Sequence, residues 1–300
     1  MSIRRIVLST AAVLCGALGV AALYAAHGSH RESTCRDVSD AEIEGLLSAE
    51  KPFSFSAAGI THEVYAAGSG PPVLLLHELP GMTPDFLRLA KRIERAGFRV
   101  YLPLFFGHPR DRSDLKGLFV GIGREWQCLR AAPRPPIVRW LRALIDQKVR
   151  RSPHEKIAIF GNCLSGGLPL ALVDDDVEAV VLSQPACPFG LGPINRNSGK
   201  ELGLSESELA NARKWSLDHS VLLFRFTQDK ISPKERFEQL QKEVHLDSAS
   251  QEIPSGAGTQ FDRKAHGVFT GYYRCEEGTE TRAALERVLD RFNHLLRPAP

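Results

Sequence analysis

Ile157-Ala158-Ile159-Phe160-Gly161-Asn162-Cys163-Leu164-Ser165-Gly166-Gly167 reads as a strand that ends in a sharp turn. The first four residues are apolar throughout, the pattern of a strand covered on both faces of a parallel sheet. Gly161 and Ser165 stand two residues before and two after Cys163. A side chain displayed at a strained strand-to-helix turn needs small neighbours at those two positions. Cys163 is therefore the candidate nucleophile, carried at the carboxyl edge of the sheet. The positive end of a following helix is expected to favour its thiolate. Gly166 and Gly167 are expected to let that helix approach the sheet closely. The N–H of Leu164 is then placed for an oxyanion. Two other readings compete: Cys163 as a packed structural cysteine, or Ser165 as the nucleophile between Cys163 and Gly167. The second leaves Gly161 without a purpose.

On both sides of this stretch, strands alternate with helices. Val73–Leu76 is another continuous apolar run, followed by Thr83-Pro84 as an N-cap and first-turn proline. Phe86, Leu89, Ala90 and Ile93 repeat at helical spacing, which assigns Arg88, Lys91, Arg92 and Arg95 to solvent. Gly97 ends that helix and Arg99–Leu102 begins the next strand. A helix over Ile137–Val149, strands over Val177–Leu182 and Val221–Phe226, and a helix containing Leu168–Leu172 continue the series. A last helix runs from Glu280 to Leu296, with Leu285, Val288, Leu289, Phe292 and Leu296 on one face. Such alternation predicts an α/β fold with a mostly parallel twisted sheet and helices on both faces. Insertions at 107–134 and 187–218 are candidate cap segments, and no internal repeat is present.

A thiol nucleophile needs a base, and the base needs a group to orient it. In a fold with this turn the chain order is nucleophile, acid, histidine. Of the ten histidines, His219, His245, His266 and His294 follow Cys163. His294 falls inside the last helix and His219 precedes a strand, which leaves His266, in a loop before that helix, with His245 in reserve. The strand Val221–Phe226 runs into Thr227-Gln228-Asp229, so Asp229 leaves the sheet on the same edge as Cys163. An aspartate there could equally be a turn former; the joint order of the three residues decides for it. After the first apolar run comes His77-Glu78-Leu79-Pro80-Gly81. Leu79 is the candidate second oxyanion donor, and Glu78 either faces the nucleophile or caps the helix near Thr83.

These four motifs resemble the dienelactone hydrolase family over about residues 55 to 297. They are Leu76-His77-Glu78-Leu79-Pro80-Gly81, Gly161-Asn162-Cys163-Leu164-Ser165-Gly166, Gln228-Asp229 and Ala265-His266-Gly267-Val268-Phe269. The resemblance implies an α/β-hydrolase with a Cys-Asp-His triad, no cofactor, and a small-molecule ester or lactone as substrate. It makes Glu78 the match of the glutamate that contacts the resting thiol and helps to activate it. Two positions depart from the family pattern. Ser165 stands where a glycine is usual. Thr270 stands where members that open dienelactones carry an arginine for the substrate carboxylate, and Arg274 is out of register. The resemblance thus implies the chemistry rather than the particular substrate. A serine esterase using Ser165, or a non-catalytic hydrolase-like module at the cell envelope, remain as alternatives.

The ends and the composition bound the setting. Arg4 and Arg5 precede the uncharged run Ile6–Ala26. That is the form of an export signal, and its length also suffices for a membrane anchor. Either reading places the hydrolase domain, 51–300, outside the cytoplasm, in the periplasm of a cell that has one, or tethered to the membrane through residues 6–26. Residues 27–50 are polar and read as a linker holding a short helix near Ala41–Leu47. With Cys15 in the leader and Cys163 free, Cys35, Cys128, Cys187 and Cys275 allow three disulfide pairings or four free thiols. A net charge of +3 and 24% charged residues describe an ordinary globular domain and argue against a nucleic-acid partner. Segment 109–151 holds eleven Lys and Arg against four Asp and Glu, and reads as a solvated face. Gly121-Ile122-Gly123 lacks the rest of a nucleotide loop.

Overall fold

A computed structural model describes residues 31–111, 125–126, 135–188 and 199–297. The leader and most of both candidate cap segments lie outside the described residues. Eight strands form one sheet in the order β1-β2-β4-β3-β5-β6-β7-β8. They are β1 Phe53–Ala57, β2 Ile60–Ala67, β3 Pro72–Leu76, β4 Arg99–Leu104, β5 Ile157–Asn162, β6 Val177–Ser183, β7 Ser220–Phe226 and β8 Gln251–Ile253. β2 pairs antiparallel with β1 and β4, and the remaining pairs are parallel.

Because successive strand residues point to opposite faces, the apolar runs feed two cores. Leu74, Leu76, Ile157 and Ile159 join one cluster, while Val73, Leu75, Ala158 and Phe160 join the other. All are fully buried, at roughly 1.5–3 kcal/mol for each large aliphatic side chain. These runs make the sheet interior largely apolar, and the candidate site residues Cys163, Asp229 and Glu78 stand just beyond strand ends.

Six helices flank the sheet among the described residues: α1 Asp40–Ser48, α2 Pro84–Arg95, α3 Pro136–Leu144, α4 Glu206–Trp215, α5 Lys234–Glu243 and α6 Glu280–Leu296. α2 starts as its sequence predicts, with the Thr83 hydroxyl accepting from the Phe86 N–H at 3.3 Å. The helix expected over Ile137–Val149 is α-helical only to Leu144 and widens into a π turn over Ile145–Val149, closed by Arg150 N–H on the Ile145 carbonyl at 3.0 Å.

Three expectations need correction. The described part of the supposed linker, 31–50, is packed on the domain. Val38, Ile43 and Leu46 are buried, and a Cys35–Cys275 disulfide fixes the segment. For that reason Arg88 and Arg92 of α2 do not face water. Arg88 is buried and pairs with Asp85 at 3.0 Å and Asp40 at 3.1 Å, while Arg92 pairs with Asp37 at 2.6 Å. Nor is the end of 187–218 a cap. The Trp215 indole N–H of α4 donates to the carbonyls of Asp174 and Val177, at the amino end of β6 and opposite the site. Among the described residues no helix is long and apolar enough to cross a membrane.

Candidate active site

The turn after β5 has the strain its spacing predicts. Cys163 adopts φ +47°, a region that costs a non-glycine residue about 1–3 kcal/mol. A Cβ on Gly161 would lie 2.3 Å from the Ser165 carbonyl oxygen, and one on Gly166 would lie 2.7 Å from Pro185 Cα. Neither contact is tolerable, so both glycines are required. Gly167 has only ordinary 3.7 Å neighbours and is not needed for close approach. The chain continues as short 3-10 turns, Cys163–Ser165 and Leu168–Ala171, rather than the expected helix. The helix dipole invoked for the thiol is therefore weak. The Cys163 thiol is in fact held above its ordinary pKa, chiefly by burial, with His266 opposing and the Glu78 and Asp229 charges adding.

Ser165 is a fixture of the turn. Its hydroxyl lies 3.0 Å from the Asn162 N–H, from the Asn162 carbonyl and from the Leu76 carbonyl. It is fully buried, bolting the turn to the end of β3. An oxygen so engaged is poorly placed to attack an acyl carbon.

Asp229 follows β7 and is held from two sides. Its Oδ1 accepts the backbone N–H groups of Ile231 at 2.9 Å and Ser232 at 3.1 Å. Its Oδ2 bonds His266 Nδ1 at 2.7 Å. A ring nitrogen of His266 also lies within 4.8 Å of the Cys163 sulfur, so the imidazole is tied to Asp229 and faces the thiol. Burial disfavours an imidazolium here, but the Asp229 carboxylate and the Cys163 sulfur outweigh it and raise His266 well above its ordinary pKa. A base so strengthened is suited to taking a thiol proton. The other histidines after Cys163 are elsewhere. His219 stacks on Trp215 at 4.7 Å, and His245 and His294 are exposed.

Glu78 completes a buried triangle. Donor atoms of Glu78, Cys163 and His266 all lie within 4.8 Å of one another. These are groups that could ligate a soft metal ion, although the imidazole and the carboxyl already have protein partners. Burial raises the Glu78 carboxyl above the usual range, against the opposing pull of His266 and its hydrogen-bond donors. Those donors are the Thr270 hydroxyl, on Oε1, and the Gln184 side-chain amide, on Oε2 at 3.1 Å. Gln184, immediately after β6, was missed from sequence. Its Oε1 accepts the Ser183 hydroxyl and, at 3.3 Å, the Val268 N–H, tying Glu78 to the histidine loop. The strand-end argument that picked out Asp229 would also have picked out Gln184.

His77 holds the loop of Glu78 and Leu79. The Phe105 N–H donates to its Nε2 at 3.0 Å, so the ring proton is on Nδ1, which donates to the Glu78 carbonyl at 3.0 Å. Burial lowers its pKa to about 4, and the ring stays neutral. Leu79 and Leu164, the expected oxyanion donors, are both buried.

Of the cysteines, Cys35 pairs with Cys275, Cys187 is also disulfide-bonded, and Cys163 is the free one among the described residues. Cys15 and Cys128 lie outside the described residues.

No family model and no curated protein matches the chain. Solved structures do. A dienelactone hydrolase from Anabaena variabilis aligns at 18% identity and TM-score 0.51, over 83% of this chain and 98% of its own. A dienelactone hydrolase-like promiscuous phosphotriesterase from metagenomic libraries aligns at 14% identity and TM-score 0.52, over 82% and 97%. A putative dienelactone hydrolase from Klebsiella pneumoniae subsp. pneumoniae aligns at 16% identity and TM-score 0.50, over 81% and 97%. With the strand order above, these similarities establish that the chain has the α/β-hydrolase fold and resembles dienelactone hydrolases in structure.

Proposed function

We propose that this protein hydrolyses a carboxylic ester or lactone, with Cys163 as nucleophile, His266 as base and Asp229 as the group that orients it. The observation that carries the reading is the 2.7 Å bond from His266 to Asp229, with a nitrogen of the same ring within 4.8 Å of a sulfur held at φ +47°. His266 takes the thiol proton as sulfur attacks the acyl carbon. The carbonyl pair moves to oxygen, where the Leu164 and Leu79 N–H groups stabilise it. Collapse breaks the acyl–oxygen bond, the proton passes from His266 to the departing alkoxide, and a thioester remains. Water, deprotonated by His266, then attacks the thioester, and the acid and the thiol are released. Glu78 acts on the sulfur's ionisation, as the resemblance implies.

The test is a screen of lactones and p-nitrophenyl esters. Cys163→Ala should abolish turnover and the trapped acyl-protein mass, and unchanged turnover would refute the assignment. The engagement of Ser165 by three backbone groups gives a serine mechanism no support.

We further propose that the domain works outside the reducing cytoplasm, exported or tethered by residues 6–26. The Cys35–Cys275 and Cys187 disulfides support this. Recovery of the full-length chain in the cytosol with both bridges reduced would contradict it.

A further inference from the structure

A small pocket of about 30 Å³ opens beside the nucleophile turn. Leu164 and Gly167 of that turn line it, together with Leu168, Leu204, Cys187 and Trp126. Among the described residues its wall contains no ionisable side chain. Trp126 is 2% exposed, and among the described residues its buried indole N–H has no acceptor. The position of this indole is built. Its neighbour Glu125 accepts the Ile137 N–H at 3.2 Å through its carbonyl and pairs with His62 at 3.2 Å through its carboxylate. Phe105 meets the indole edge-on at 4.8 Å between centroids.

A buried donor left unpaired costs about 1–3 kcal/mol. An oxygen entering the pocket would recover that cost. A carboxylate would instead lose its hydration against uncharged walls, at several kcal/mol. We propose that this pocket is a substrate subsite that takes a short uncharged substituent whose acceptor oxygen is bound by the Trp126 N–H. The subsite rests on the hydrolase reading, and its specificity is for oxygen-bearing neutral esters over both alkyl and anionic ones.

Two measurements separate the subsite from that reading. In the first, kcat/KM is compared for p-nitrophenyl methoxyacetate against butanoate, and 3-methoxypropanoate against pentanoate, with the hemisuccinate as the anion. Trp126→Phe should lower the methoxy-to-alkyl ratio by roughly 3–10-fold in at least one pair, mainly through KM. The hemisuccinate should be the poorest substrate. In the second, methyl methoxyacetate and methyl butanoate are titrated into ¹⁵N-labelled Cys163→Ala protein. The Trp126 indole N–H signal, assigned by its loss in Trp126→Phe, should move only with the methoxy ester. An unmoved signal, an unchanged ratio in both pairs, or preferred cleavage of the hemisuccinate overturns the subsite. A moving signal in a protein whose wild type cleaves no ester overturns the hydrolase reading and leaves the binding site standing.

Discussion

The Thr270 hydroxyl donates a hydrogen bond to the Glu78 carboxyl, and the two residues stand 192 positions apart in the chain. Gln184 donates to the other carboxyl oxygen. Both bonds favour the ionised form of Glu78, and its charge in turn holds the Cys163 thiol up. The sign of a substitution follows. Thr270→Val should keep Glu78 neutral to higher pH, place less negative charge beside the sulfur, and let the thiolate form at lower pH. The rate of iodoacetamide labelling of Cys163 against pH reads this directly, and its midpoint should move down. Glu78→Gln should move it down as well, and adding Thr270→Val to Glu78→Gln should change nothing more. An upward shift, or full additivity, would show that Thr270 acts on the sulfur by another route.

Asp229→Asn keeps an acceptor for the Ile231 and Ser232 N–H groups but removes the charge on His266 Nδ1. Burial of the imidazole is then opposed by less negative charge, and its pKa falls. The ring can also turn to the wrong tautomer. Activity should drop by on the order of 10²–10⁴-fold in kcat with little change in KM. A kcat within a factor of two of wild type would remove Asp229 from the mechanism.

Much of this was legible before the fold was seen, for a physical reason. Val73–Leu76, Ile157–Phe160 and Val221–Phe226 are local patterns, and a continuous apolar run admits few placements other than a sheet interior. The small residues around Cys163 are equally local, because the strain they relieve lies within five residues. What escaped depends on distant chain. Helical spacing put Arg88 and Arg92 in solvent, but residues 31–48 fold back over them, which is not written in α2. Gln184 stands at a strand end, as Asp229 does, but belongs to no motif, and its bond to Glu78 depends on β6 lying beside β5.

Ser165→Ala separates a structural hydroxyl from a nucleophilic one. The substitution strands the Asn162 N–H, so stability should fall by about 1–3 kcal/mol in urea unfolding. Turnover should stay within roughly tenfold of wild type, whereas losing the true nucleophile costs on the order of 10⁶. Complete loss of activity in a folded Ser165→Ala protein would reopen the serine frame.

His77 gives the fold a pH dependence of known sign. Its folded pKa is about 4, against 6.5 for the ordinary group. Between those values the unfolded chain binds a proton that the folded one does not, so stability falls as pH drops from 6.5 towards 4. The full contribution is roughly 3 kcal/mol. Urea midpoints at pH 7 and pH 4.5 should differ accordingly, and His77→Gln should flatten the slope. An unaltered slope would mean that another group carries the acid sensitivity.

The Cys35–Cys275 bridge spans a sequence separation of 240 and ends in the loop that carries His266. A closure this long removes much entropy from the unfolded chain, on the order of 3–5 kcal/mol. In a domain of this size that corresponds to roughly 6–20 °C in Tm. Paired replacement, Cys35→Ser with Cys275→Ser, tests it without disturbing the Cys187 bridge as a reductant would. Other ties to this loop include the Arg31–Asp262 pair at 3.0 Å, the Ser33 hydroxyl on the Tyr273 carbonyl, the Arg92 guanidinium 4.1 Å over the Tyr273 ring, and the Arg282 guanidinium on the Cys275 carbonyl at 3.0 Å. All of these are non-covalent, and the bridge is the covalent tie between residue 35 and the loop. Hydrogen exchange across 262–279 should therefore rise at temperatures well below the new Tm, and ester turnover should fall over the same range. A Tm equal to wild type, or a turnover that declines only with global unfolding, would show that the bridge does not hold the histidine loop.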